Sequence, residues 1–233
     1  MGSIILELQR ESYDSSKSIS DLLRKAFVVA KKLKIIEFEQ WINAELNGYK
    51  GMYSKVPDYR EIVGEIKAFN PYRGWIPVVI YDSKMYTLLT RRKINQPITQ
   101  LEHLVEQNNT LTVNYPNDIE IQIMNFTQTD FPVKLFIDKT QVEGIIETVR
   151  NIVLNWALKL EEDGIMGDSL SFSNEEKKLA AASKYNINHF HGPVTHSQFQ
   201  QDSPESSQKI INNDAFDIST LSDFIKVLKF RTL

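Results

Sequence analysis

"REIVGEIKAF", residues 60–69, marks the point where this chain changes character. It is a run of β-branched and apolar residues interrupted by single polar ones, which reads as a strand. Four more runs follow, each bounded by Pro, Gly, Asn or Asp: "WIPVVIYD" (75–82), "TLTVNYP" (110–116), "IEIQIMNF" (119–126) and "FPVKLFID" (131–138). Between them, "ITQLEHLVEQNN" (98–109) has the spacing of a short helix. Residues 139–163 predict a longer one, with Val142, Ile145, Ile146, Val149, Ile152, Val153, Trp156, Ala157 and Leu160 along one face.

Over the first fifty residues the pattern is helical, and the character changes after Gly51. Ile4, Ile5 and Leu8 predict a short first helix. Ser18, with Asp21 three residues on, caps a second whose apolar stripe is Leu22, Leu23, Ala26, Phe27, Ala30 and Leu33. Phe38, Trp41, Ile42, Leu46 and Tyr49 mark a third, stopped at Asn47-Gly48. Because helices and strands are segregated rather than alternating, the class is α+β. The expected architecture is an N-terminal three-helix unit packed on a largely antiparallel sheet with a long helix. A linker and a C-terminal element of short strands plus a helix follow.

The domain reading places a helical and α+β domain over residues 1–165. "EEDGIMGDSLSFS" (161–173) has the glycines, acids and serines of a linker, so residues 166–184 read as linker and short helix, the helix over 174–183. Residues 185–233 read as an oligomerisation element. It opens with an amide-rich strand segment, "INHFHGPVTHSQFQQDS" (187–203), and closes with an amphipathic helix marked by Leu221, Phe224, Ile225 and Leu228.

Composition narrows the function classes. A formal net charge of −3 over 233 residues provides no general attraction to nucleic acid or anionic lipid. With no cysteine, disulfides, thiolate metal sites and a cysteine nucleophile are excluded, in keeping with a reducing compartment. No apolar run approaches the roughly 20 residues of a membrane span. The opening "MGSIILELQRES" lacks the apolar core of a signal peptide, and Leu6 stands where an acylation signal needs Ser or Thr. The expectation is a cytoplasmic protein with no membrane partner.

No P-loop, G-x-G-x-x-G, G-x-S-x-G or H-E-x-x-H is present, and no cofactor is expected. Pro57-Asp58 followed by Glu65-Ile66-Lys67 resembles the P-D…E-x-K arrangement of a nuclease superfamily, in which two carboxylates hold a divalent cation and the lysine assists water. Asp58, Glu65 and Lys67 are therefore the catalytic candidates, although the gap between Asp58 and Glu65 is short for two strands. Arg91, Arg92 and Lys93 follow Tyr81 and Tyr86, an interleaving found in some nucleic-acid sites. His189, His191 and His196, three of the chain's four histidines, are the metal-ligand candidates, with no acid among them. The alternative is that they line an exposed or partner-paired strand.

Several short phrases, in order, carry a resemblance. They are Leu22-Leu23-Arg24-Lys25-Ala26, Lys32-Leu33, Trp41-Ile42, Glu45-Leu46-Asn47-Gly48-Tyr49, Pro57-Asp58-Tyr59-Arg60, and Arg73-Gly74-Trp75 with Pro77-Val78. Together they resemble the AbiTii domain of bacterial abortive-infection proteins, over residues 3 to about 80 and more faintly beyond. The resemblance implies a role in defence against phage and supplies no catalytic residues. Gly192, Val194, Ser197, Gln198, Gln200 and Gln201 are similar to a short G-x-V-x-x-S-Q-x-Q-Q element near the ends of assorted bacterial proteins, often defence-related, which implies assembly.

The reading is thus a defence protein acting as a self-associating sensor or effector scaffold. Phe190, Val194, Gln198, Phe199, Gln200, Leu221, Phe224 and Leu228 join the copies, and a phage or host protein is a further partner. A metal-dependent nuclease toxin and a nucleic-acid-binding module stay open as alternatives.

Overall fold

The computed structural model describes residues 2–51, 56–107, 110–183, 185 and 187. The elements in chain order are α1 (Ile4–Tyr13), α2 (Ile19–Leu33), α3 (Ile36–Asn47), a 3₁₀ turn (Asp58–Arg60), β1 (Glu61–Asn70), β2 (Gly74–Pro77), α4 (Ser83–Thr90), β3 (Arg91–Lys93), α5 (Ile98–Glu106), β4 (Leu111–Asn114), α6 (Asn117–Thr127), β5 (Val133–Ile137), α7 (Lys139–Glu162) and α8 (Asn174–Ala182). The class is α+β, as the segregated patterns predict. The described residues fall into two compact units, one helical and one built on the sheet. Among them, no helix is long and apolar enough to cross a membrane.

Among the described residues, the helical unit takes those up to Gly51, Asn95–Gln107, and those from Glu143 onward. α1 and α2 begin where side-chain oxygens satisfy the first free N–H groups, whereas α3 and α5 have no side-chain cap. Ser3 accepts from Ile5 and Leu6, and Ser18 accepts from Asp21. α3 stops at Gly48, whose φ of 82° and a would-be Cβ only 2.8 Å from the Asn95 carbonyl oxygen admit no other residue. The predicted stripes meet in one core in which Leu8, Leu23, Ala26, Phe38, Ile42, Leu101, Val153 and Trp156 are fully buried. Phe38 stacks on Trp156 with centroids 4.4 Å apart and takes the edge of Trp41 at 5.5 Å.

Residues 161–173, linker-like in composition, lie along α1 and the start of α8. Ile165 is fully buried, the Ser3 hydroxyl donates to the Met166 carbonyl, and Ser3 bridges Ser169. The Lys32 ammonium donates to the Leu170 carbonyl. Glu176 accepts from the backbone N–H of Met166, Gly167 and Ser173, while Ser173 accepts from Glu176, a reciprocal capping box that starts α8. Burial alone would raise the Glu176 pKa, but the three backbone donors outweigh it and leave the carboxyl below its ordinary value.

The second unit, within residues 52–94 and 108–142, is an antiparallel sheet in the order β2–β1–β5–β4, with β3 also paired to β1. Ile62, Ile66 and Ala68 of β1 and Val133, Leu135 and Ile137 of β5 point to one side and are buried there. Met85 and Leu89 of α4, and Ile119 and Ile123 of α6, are the buried apolar positions of the two helices that contact β1 and β5. Past the end of β5, the Gln141 side-chain amide continues the ladder, donating to the Val63 carbonyl at 2.7 Å and accepting from the Val63 N–H at 2.8 Å.

Two elements differ from the sequence reading. "IEIQIMNF" forms α6, not a strand. Ile119, Ile121 and Ile123 alternate like a strand, but only Ile119 and Ile123, one helical turn apart, are buried, and Ile121 is exposed. The acids Asp118 and Glu120 favour a helix N-terminus there. "WIPVVIYD" is a strand only to Pro77. Proline has no N–H for a ladder, and five residues later Asp82 accepts from Lys84 and Met85 to start α4, which the strand reading overlooked. The C-terminal strand-and-helix element lies outside the described residues.

Candidate functional site

The outer face of the sheet gathers residues that the pairing register, not the chain order, brings together. β1 sends Glu65, Lys67 and Phe69 outward, between the buried Ile62, Gly64, Ile66 and Ala68. Lys67 lies opposite Lys134 and Glu65 opposite Phe136 across the β1–β5 ladder. On the β2 side, Phe69 pairs with Trp75. The resulting aromatic set has ring centroids 5.3 Å apart for Phe69 and Trp75 and 5.0 Å for Trp75 and Phe136. Lys67 Nζ stands 5.1 Å over the Phe136 ring and Lys134 Nζ 5.6 Å over Trp75.

The catalytic candidates are held in two ion pairs. Glu65 meets Lys67 at 2.9 Å on the outer sheet face. Asp58, in the 3₁₀ turn before β1, meets Lys93 at 2.8 Å. Among the described residues, no group of three or more histidines and acids is placed to hold a metal ion. His189, His191 and His196 lie outside the described residues, as do Phe190, Val194, Gln198, Phe199, Gln200, Leu221, Phe224 and Leu228.

The basic cluster serves the fold. Arg91 pairs with Glu61 at 2.5 Å, and Lys93 also donates to the Val56 carbonyl. Arg92 donates to the carbonyls of Leu88 and Arg91 and lies over the Tyr115 ring. Burial lowers the Arg92 pKa and raises that of Tyr115, whose hydroxyl donates to the Leu89 carbonyl.

In the helical unit a cleft of about 680 Å³ is lined by Glu102, His103, Glu106, Glu143, Glu147 and Arg150, among others. Two of these charges brace the turn between α1 and α2. Glu102 accepts from the N–H groups of Ile19 at 2.7 Å and Ser20 at 3.3 Å, a long-range cap on α2. Arg150 donates to the carbonyls of Glu11, Asp14 and Lys17. Glu45 is fully buried and accepts from the Tyr49 hydroxyl at 2.6 Å.

Sequence reasoning did not identify the aromatic face. Its signal was the alternation within "REIVGEIKAF" and "FPVKLFID", which puts Phe69 on the side of Lys67 and Phe136 on that of Lys134. A family model described as AbiTii matches residues 3–185. No curated protein and no solved structure matches the chain.

Proposed function

Since the chain belongs to the AbiTii family, whose role is abortive infection, we propose that it acts as a self-associating sensor or effector scaffold in defence against phage. The observation behind this reading is where the charged groups go. Asp58, Glu65, Glu102 and Arg150, the groups an enzyme reading would recruit, are engaged with Lys93, Lys67 and backbone of the fold. Glu102 and Arg150 are held by backbone at the α1–α2 turn, and Asp58 and Glu65 each face a lysine rather than a second carboxylate with which to share a cation.

On this reading the folded body presents a recognition surface, and the C-terminal segment joins copies. The amide-rich run 187–203 has little apolar surface of its own, and pairing with an identical segment supplies the missing hydrogen bonds. Phe190, Val194, Phe199, Leu221, Phe224 and Leu228 supply the burial. The cytoplasm is the compartment and a phage or host protein the trigger in this proposal.

Sedimentation velocity of the full chain beside a version ending at Ser183 tests it. The full chain should sediment as an oligomer and the shortened one as a monomer; two monomers would overturn self-association. Incubating the protein with DNA and RNA, with Mg²⁺ or Mn²⁺ against EDTA, should leave both intact. Metal-dependent cleavage would move the function to a nuclease.

A further inference from the structure

The outer sheet face has the makings of a base-stacking platform. Three rings from three strands, Trp75, Phe69 and Phe136, form one continuous aromatic surface, with Phe69 42% and Trp75 36% exposed. Contiguous exposed apolar surface with a polar rim marks a binding site. Here the rim is cationic. Lys67 and Lys134 face each other across the ladder, and Arg73 is exposed at the β1–β2 turn. Across residues 52–94 and 108–142 of the sheet unit, Lys and Arg number ten against eight Asp and Glu, in a chain whose net charge is −3.

We propose that this face binds single-stranded nucleic acid without reading its sequence, bases stacking on Trp75, Phe69 and Phe136 and phosphates meeting Lys67, Lys134 and Arg73. Every base presents a π-face, so a row of rings on an open antiparallel sheet accepts any unpaired strand, while a duplex keeps its bases stacked on one another. Lysines interleaved with the rings fit a polyanion better than a protein partner, because lysine is depleted from the centres of protein interfaces. The half-buried lysines over Phe136 and Trp75 make cation–π contacts that are weaker than stacking a base. An incoming base takes the ring face, and the flexible lysine turns to the phosphate beside it. Glu65 opposes this by holding Lys67 and repelling phosphate, so it sets the affinity. The surface lies within the sheet unit, and its function does not depend on self-association.

The test is fluorescence anisotropy of the full chain with labelled oligo(dT) and oligo(U) of about 15 nucleotides and a duplex of similar length, in EDTA to prevent cleavage. Trp41 and Trp156 are buried, so quenching of intrinsic fluorescence on binding reports Trp75. Both single strands should bind, the duplex much less, and affinity should fall about tenfold between about 50 and 200 mM salt. Trp75→Ala should weaken binding about tenfold or more. Lys67→Glu with Lys134→Glu, which leaves the rings in place, should do the same, and Glu65→Gln should tighten it. No binding at tens of micromolar, equal binding of the duplex, or no effect of either Trp75→Ala or the lysine reversals would overturn the proposal. If Trp75→Ala abolishes phage protection while the parent binds no single strand, the face serves a protein and the proposal falls.

Discussion

Gly64→Ala and Gly144→Ala make the same chemical change with opposite expected signs. Gly64 lies in the middle of β1, between the buried Ile62 and Ile66 and opposite Ile137. A Cβ there would fall 2.5 Å from Leu135 Cγ, 2.6 Å from Leu135 Cδ1 and 2.8 Å from the Phe136 carbonyl oxygen. Leu135 is fully buried, so its side chain has no open rotamer to retreat into, and the carbonyl moves only if the strands part. Overpacking of this kind costs about 1–3 kcal/mol. The backbone entropy recovered by removing a glycine offsets about 0.5–1 kcal/mol. The net expectation for Gly64→Ala is a loss of up to about 2.5 kcal/mol, centred on about 1 kcal/mol.

Gly144 is the counterpart on an exposed position of α7, where a Cβ meets no atom within 4 Å. Alanine there should gain about 0.5–1 kcal/mol from helix propensity. Urea denaturation followed by far-UV circular dichroism and by tryptophan fluorescence measures both variants. Trp75 reports the sheet unit, and Trp41 and Trp156 report the helical one. A Gly64→Ala variant as stable as the parent would show that the β1–β5 approach is looser than the 2.5 Å and 2.8 Å separations imply. A destabilised Gly144→Ala would refute the open space around that position.

Two further outcomes follow from single residues. Trp156 is fully buried, and its Nε1 has no hydrogen-bond partner among the described residues, so Trp156→Phe should keep the stack on Phe38 and lose no polar contact. Trp156→Ala should cost about 3–5 kcal/mol in urea denaturation and Trp156→Phe clearly less; equal losses would mean the indole N–H matters after all. Glu176 has its carboxyl pKa below the ordinary 4.5, so its contribution to stability is fully present above that value and is lost as pH falls through the lower, folded one. Hydrogen-exchange protection of the Gly167 and Ser173 amides, corrected for intrinsic rate, should fall in that acid range, and Glu176→Gln should remove the dependence. Protection unchanged down to pH values well below 4.5 would refute it.

What the sequence by itself determined was local. Caps such as Ser18 and the capping box of Ser173 with Glu176, and the stripes of α2, α3 and α7, are written within a few residues of each other, because a helix satisfies its hydrogen bonds within itself. Residues 119–126 show where that legibility stops: an isoleucine at every second position satisfies a strand pattern and, through Ile119 and Ile123, a helical one. Only the sheet beneath, which buries those two and leaves Ile121 outside, decided between them. The roles of Asp58, Arg150 and Glu102 were equally out of reach, since the first is occupied by Lys93 and the other two by backbone many residues away. The aromatic face lies furthest from the sequence. Phe69 and Phe136 are 67 positions apart in the chain. They share a surface because β1 pairs with both β2 and β5 in one register, and a slip of one residue would have turned either ring into the core.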